Sequence, residues 1–323
     1  MVFDGHCDIF TGVLQRHLKG ERQVMERIFL PQLEAGGYEG GCFVLWADPP
    51  YDKDQAARFA QLKQVISEEM ATCQGAVIVH NSAEIEAAKA AGKFYILLGA
   101  EGLAAIGDDL AQLDALYDFG VRHAMLTWNE ANQLATGARG DAGRGLTALG
   151  RQAVQRMEEK HMIVDVSHLN ERSFWDVMNV VHTPILASHS NARALVDVPR
   201  NLTDEQLKAI ADTGGVVGLN SFNEFVHHDP AKQNTDSFLQ HAVYIADKIG
   251  VEHLAFGFDF SCCVEPATMA SYSSQATPHT EGLEDYSKVP AFLEKMRQAG
   301  FSDADMEKIC RGNWLRLIDA ILG

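Results

Sequence analysis

Three histidines, two aspartates and one glutamate stand where short apolar runs of this chain end. His6 and Asp8 close the run at 2–9, Glu101 follows 94–100, His168 follows 163–167, His189 follows 185–188 and Asp259 follows 254–258. Imidazoles and carboxylates together are a ligand set for one or two divalent metals, and they suit zinc. Side chains alternate along a strand, so His6 and Asp8 point one way and Cys7 the other, which removes Cys7 from the set. A lone histidine or aspartate at a strand end has ordinary explanations, a structural hydrogen bond or a helix cap. Glu101 resists them. It sits between Ala100 and Gly102 after an apolar stretch, where burying an unpaired carboxylate is costly.

These residues can meet only if their strand ends open on one face. Apolar runs at 2–9, 41–47, 94–99, 122–127, 162–166, 184–188, 215–219 and 254–260 alternate with helix-like segments such as 54–72, 145–160, 203–212 and 235–249. Apolar strands separated by helices imply a parallel sheet covered on both faces. Eight of them in 323 residues predict an α/β fold, a closed (β/α)8 TIM barrel with its chemistry at the C-terminal strand ends. Residues 76–80 would be a ninth strand and read as an edge or accessory one. Thr203 with Gln206 spells a capping box. An open doubly wound sheet is disfavoured, because no Gly-x-Gly-x-x-Gly turn follows the first strand. No Pro- or Ser-rich linker divides the chain, so residues 1–323 read as a single domain with C-terminal helices.

Composition narrows the functions. A net charge of −17 repels a phosphate backbone, and no basic cluster offsets it, so nucleic acid is not an expected partner. The six cysteines are scattered without a Cys-x-x-Cys pair and read as free thiols, the adjacent Cys262 and Cys263 included. The sequence opens directly on a strand, without a signal-like leader, and no apolar run has membrane-spanning length. A cytoplasmic protein is expected. Ser167-His168 and Ser188-His189 resemble nucleophile–base pairs, but neighbouring strand residues face opposite sides and there is no Gly-x-Ser-x-Gly elbow. The glycine-rich stretch 137–145 lacks the Gly-Lys-Ser/Thr of a phosphate loop and reads as a flexible loop over the barrel mouth. His227-His228-Asp229 reads as solvated loop.

Taken in order, the motifs resemble those of the membrane dipeptidase (renal dipeptidase) family of zinc metallopeptidases, within the amidohydrolase-like barrels. Asp4-Gly5-His6-Cys7-Asp8 resembles the family's opening segment, and Gly99-Ala100-Glu101-Gly102 its bridging-glutamate segment. Val164-Asp165-Val166-Ser167-His168 and Ala187-Ser188-His189-Ser190 resemble its two later histidine motifs. Arg200-Asn201-Leu202-Thr203-Asp204, Gly257-Phe258-Asp259-Phe260 and Gly312-Asn313-Trp314-Leu315-Arg316 resemble the remaining three. The resemblance implies two zinc ions, one held by His6 and Asp8, the other by His168 and His189, with Glu101 bridging. It implies Asp259 as acid/base, Arg200 as the reader of the substrate carboxylate, and a homodimer. Two departures stand out. Where the family commonly has Leu-Thr-His, with the histidine touching substrate, this chain has Leu126-Thr127-Trp128-Asn129, so that contact is lost or passes to Asn129. Where the family continues Asp-Phe-Asp-Gly, this chain has Asp259-Phe260-Ser261-Cys262.

The expected function is therefore hydrolysis of dipeptides, with two zinc ions sharing a water made nucleophilic as hydroxide. Trp128 and Asn129 are expected on the substrate side of the site. One alternative is a related barrel hydrolase acting on another amide, lactam or ester, which a substrate screen would separate. Another is a silent metal-binding barrel, against which the complete ligand set and Asp259 argue.

Overall fold

Short runs of buried apolar residues become parallel strands. In the computed structural model, which describes residues 1–273 and 278–323, these are β1 (Val2–Cys7), β2 (Tyr38–Trp46), β3 (Ala76–Val79), β4 (Phe94–Glu101), β5 (Val121–Met125), β6 (Ile163–Asp165), β7 (Leu186–Ala187), β8 (Val216–Leu219) and β9 (Leu254–Phe256). The sheet runs β1-β2-β4-β5-β6-β7-β8-β9, all parallel. This is the nearly closed eight-strand α/β barrel that the alternating pattern predicts. The ninth strand is accessory, as expected. β3 pairs with Phe94–Leu97 of β4, while β5 takes the other half of the same edge, Leu98–Glu101. β3 thus lies at the bottom of the barrel, away from the strand ends that carry the polar residues.

The strands stop earlier than the apolar runs suggest. β1 ends at Cys7, and Asp8 already precedes the helix Ile9–Leu18. β7 is only two residues long, and β9 ends at Phe256 rather than at 260. Past β6 and β9 the backbone itself leaves the strand path: His168 and Asp259 adopt φ of 69° and 59°. That left-handed conformation cannot continue a strand, and non-glycine residues take it only when their surroundings hold them there. The capping box forms as read, with Thr203 and Gln206 at the start of Asp204–Asp212.

β1 and β9 face each other across the seam, and side chains close it. Asp4 Oδ1 accepts from Phe258 N at 2.9 Å and from His6 N at 3.3 Å. Trp314, on the helix Asn313–Leu322, donates Nε1 to Phe256 O at 3.0 Å and packs its ring 5.4 Å from Phe3. Residue 5 must be glycine, because a Cβ there would strike the Trp314 indole. Among the described residues no helix is long and apolar enough to cross a membrane.

Candidate metal centre

Glu101, the last residue of β4, is the hub. Its Oε2 lies 3.5 Å from His6 Nε2, and its Oε1 lies 2.8 Å from His168 Nε2 and 3.6 Å from His189 Nε2. His6 Nε2 is in turn 3.9 Å from both Asp8 Oδ2 and Asp259 Oδ1. The structure therefore brings the six strand-end residues to one place around Glu101, with His6 nearest one of its oxygens and His168 and His189 nearest the other. His6, Asp8, Glu101, His168 and His189 are all buried, whereas the Asp259 side chain keeps 23% of its surface open to the mouth.

Contacts outside this cluster fix the rings. His168 Nδ1 lies 3.0 Å from Asn129 Oδ1, and His189 Nδ1 lies 2.7 Å from Ser188 Oγ. An Nδ1–H donated to each oxygen leaves both Nε2 lone pairs facing Glu101, the arrangement of metal-binding histidines. Asn220 Nδ2 donates to Asp259 Oδ2 at 3.0 Å. Below the centre, Asp165 Oδ1 accepts from Ser167 N and Ser188 N at 2.8 and 3.2 Å, and its Oδ2 meets His123 Nε2 at 2.6 Å.

Sequence reasoning missed Ser188, Asn220, Asp165 and His123 as supports. Ser188 was within reach. Strand alternation separates it from His189, but β7 ends at Ala187, so the rule does not apply there. Gly257 packs so tightly against this turn that a Cβ on it would strike Ser188 O. Cys7 is buried and belongs to neither metal-competent group, and His228 and Asp229 are exposed.

Electrostatics mark the cluster as one that wants positive charge. Burial works against a proton on His6, yet Glu101, then Asp259 and Asp8, hold its pKa well above the ordinary value. Asp8 is pushed well up by burial and by Glu101. Burial also opposes ionisation of Glu101, but His6 and His168 outweigh it and keep the carboxylate charged. Burial lowers His168 to about 4, with Arg200 adding to the effect, and it takes His189 well below normal, so both are neutral donors. Burial raises Asp259 to about 6.

The residues fit a metal. Both ring nitrogens of His6 and Asp8 Oδ1 are buried without a hydrogen-bond partner among the described residues, an expensive state for polar atoms unless a ligand meets them. Two triads, His6–Glu101–His189 and His6–Asp8–Asp259, have the close donor spacing of a cation site. Nitrogen and carboxylate oxygen without thiolate match zinc or a neighbouring transition metal.

Above the centre is a small cavity of about 40 Å3, lined on the metal side by Asp8, Glu101, His168 and Asp259. Trp128 and Asn129 are on its wall, as is Arg139 from the glycine-rich loop, whose Ala138 N donates to His168 O at 2.7 Å. Arg200 does not itself line the cavity. It is buried beside it, donating Nη2 to His189 O at 3.1 Å with its guanidinium 5.4 Å from the Phe225 ring, and its Nε has no partner among the described residues. Burial lowers its pKa only to about 10, so it stays cationic.

Residues 1–322 match the membrane dipeptidase family, peptidase family M19. The chain belongs to the membrane dipeptidase family. An uncharacterised Klebsiella pneumoniae protein from the pqqA 5' region is 32% identical over 81% of this chain and 93% of its own length. Among solved structures, the M19 metallopeptidase dipeptidase AC superposes with a TM-score of 0.88 at 27% identity, covering 100% of this chain and 98% of that one. A Rhodobacter sphaeroides metallopeptidase liganded with a phosphinate mimic of the dipeptide L-Ala-D-Ala gives 0.87 at 26% identity, covering 99% of each chain. As a membrane dipeptidase family member the protein is a dipeptidase-type metallopeptidase, in agreement with the motif order.

Proposed function

We propose that this protein is a dinuclear zinc dipeptidase. The placement of Glu101 carries the reading: one carboxylate oxygen faces His6 and the other faces His168 and His189, the disposition of a carboxylate shared by two cations. In this reading His6 and Asp8 hold one ion, and His168 and His189 the other. Once bound, the ions supply Lewis acidity toward the scissile carbonyl and acidify the attacking water.

The remaining steps fall to the chain. Asp259, held through Oδ2 by Asn220, keeps Oδ1 toward the centre and can pass the water's proton to the leaving amine. Arg200, buried beside the cavity with its Nε unpartnered among the described residues, sets a fixed positive charge toward the terminal carboxylate of a short substrate. The confined space over the centre limits the length of peptide that fits. A dipeptide mimic in the Rhodobacter sphaeroides relative supports the same substrate class here. A cytoplasmic setting suits the six free cysteines. The homodimer expected from the family is checked by sedimentation.

The deciding experiment combines metal analysis with a dipeptide panel. Purified protein should carry about two zinc per chain and release free amino acids. Asp259→Asn should abolish turnover and keep the metal. Fully loaded protein that leaves every dipeptide intact would end the proposal.

A further inference from the structure

Much of the cavity wall is built of aromatic rings. Trp46 ends β2, Trp128 follows β5, and Tyr272 ends the helix Pro266–Tyr272 beyond β9. Their ring centroids are 5.5 Å apart for Trp46–Trp128, 6.0 Å for Trp46–Tyr272 and 5.7 Å for Trp128–Tyr272, and all three line the cavity. Arg139 Nη2 donates to Tyr272 O at 3.1 Å, tying the glycine-rich loop to this wall. Strand order places the wall. Arg200 and Phe225 follow β7 and β8, and Trp46 and Trp128 stand at β2 and β5 on the far side of the ring, while Tyr272, from beyond β9, joins them to Phe222 at 6.3 Å. The wall's edge reaches His168, 6.3 Å from Trp128 between ring centroids, so it begins at the metal centre itself.

We infer that Trp46, Trp128 and Tyr272 form the subsite for the side chain of the substrate's N-terminal residue, and that the protein selects dipeptides in which this side chain is large and apolar or aromatic. The inference rests on the dipeptidase reading, with Arg200 at the carboxylate end. A substrate whose carboxylate lies toward Arg200 and whose scissile bond lies over Glu101 turns its other end to the two tryptophans. Flat apolar surfaces at T-shaped and tilted angles give stacking and edge contacts to an aromatic or branched side chain. They give a small side chain little in return for displacing water. Trp128 is central, because it touches both other rings and His168.

The test compares two substrate series on the metal-loaded enzyme, Xaa-Gly and Gly-Xaa, with Xaa as Gly, Ala, Leu, Phe and Asp. We expect kcat/KM in the first series to rise by about tenfold or more from Ala to Phe, and the second series to vary much less. Trp128→Ala should collapse the Phe-to-Ala ratio of the first series toward one, and Trp128→Phe should restore most of it. Should Trp128→Ala fail to fold, Tyr272→Ala and the wild-type series still decide. Cleavage with a flat first series, or with the preference in the second, overturns the inference and leaves the dipeptidase reading standing. An enzyme that cleaves neither series overturns both.

Discussion

Ser188 Oγ lies 2.7 Å from Nδ1 of the next residue, His189. The contact sets which nitrogen of His189 is free, and the serine is itself placed by Asp165 Oδ1 on its backbone N–H. Ser188→Ala should leave the fold intact and weaken the ion at His168 and His189 by roughly 10- to 100-fold, the usual effect of losing an outer-shell partner. Chelator competition measures it. Excess zinc should recover turnover; a variant with unchanged metal affinity would remove Ser188 from this role.

Glu101→Gln removes the one charge that both groups of ligands share. The variant should bind about one zinc or fewer per chain and lose activity that added zinc does not restore. Metal counting on dialysed protein is the check, and retention of two ions would contradict the bridging assignment.

Beneath the centre, His123 and Asp165 form an ion pair with both side chains fully buried. Burial opposes the charge on each, but Cys42 and Asp165 hold His123 up at about 10, and His123 keeps Asp165 ionised. Asp165→Asn retains acceptors for the Ser167 and Ser188 amides yet strips the imidazolium of its anion. Breaking a buried pair from one side costs about 3–5 kcal/mol, so the urea midpoint should fall strongly. A loss below about 1 kcal/mol, the level of an exposed pair, would show that the pair is not charged.

His241 gives the pH dependence away from the metals. Its Nδ1 accepts from Ala192 N at 3.2 Å and its Nε2 faces Val226 O at 3.1 Å, which requires the neutral ring. Burial lowers its pKa to about 4, against about 6.5 in an unfolded chain. Above 6.5 neither state binds the proton and the full stability is present. As pH falls toward 4 the unfolded chain takes up a proton that the folded one refuses, costing roughly 3 kcal/mol in all. Denaturation between pH 7 and 4 should show this loss, and His241→Gln should flatten that part of the curve relative to wild type.

Much of the fold and the centre could be read from residue order. Apolar runs broken by helices gave the barrel, and a carboxylate after an apolar strand marked Glu101, because burial without a partner is costly. Ser188 and Asn220 stayed hidden because their contacts depend on where a strand stops and the backbone turns. The left-handed φ of His168 and Asp259 has only a weak signature in residue type: Asp and His adopt it more readily than most side chains, but neither is the glycine that usually announces it. Trp128 was noticed as a missing histidine, and only its contacts with Trp46 and Tyr272 showed what it supplies instead.

The seam between β1 and β9 adds a dimension of time. His6 and Asp8 stand on one lip and Asp259 on the other, and Asp4 reaches across to an amide 254 positions away. The lips are latched from behind by Trp314. A growing chain that has made residues 1–259 but not yet this tryptophan has every candidate ligand and, across the seam, the Asp4 contact without its latch. Tight closure around the candidate centre thus waits for a segment that follows the last candidate ligand and contributes none itself.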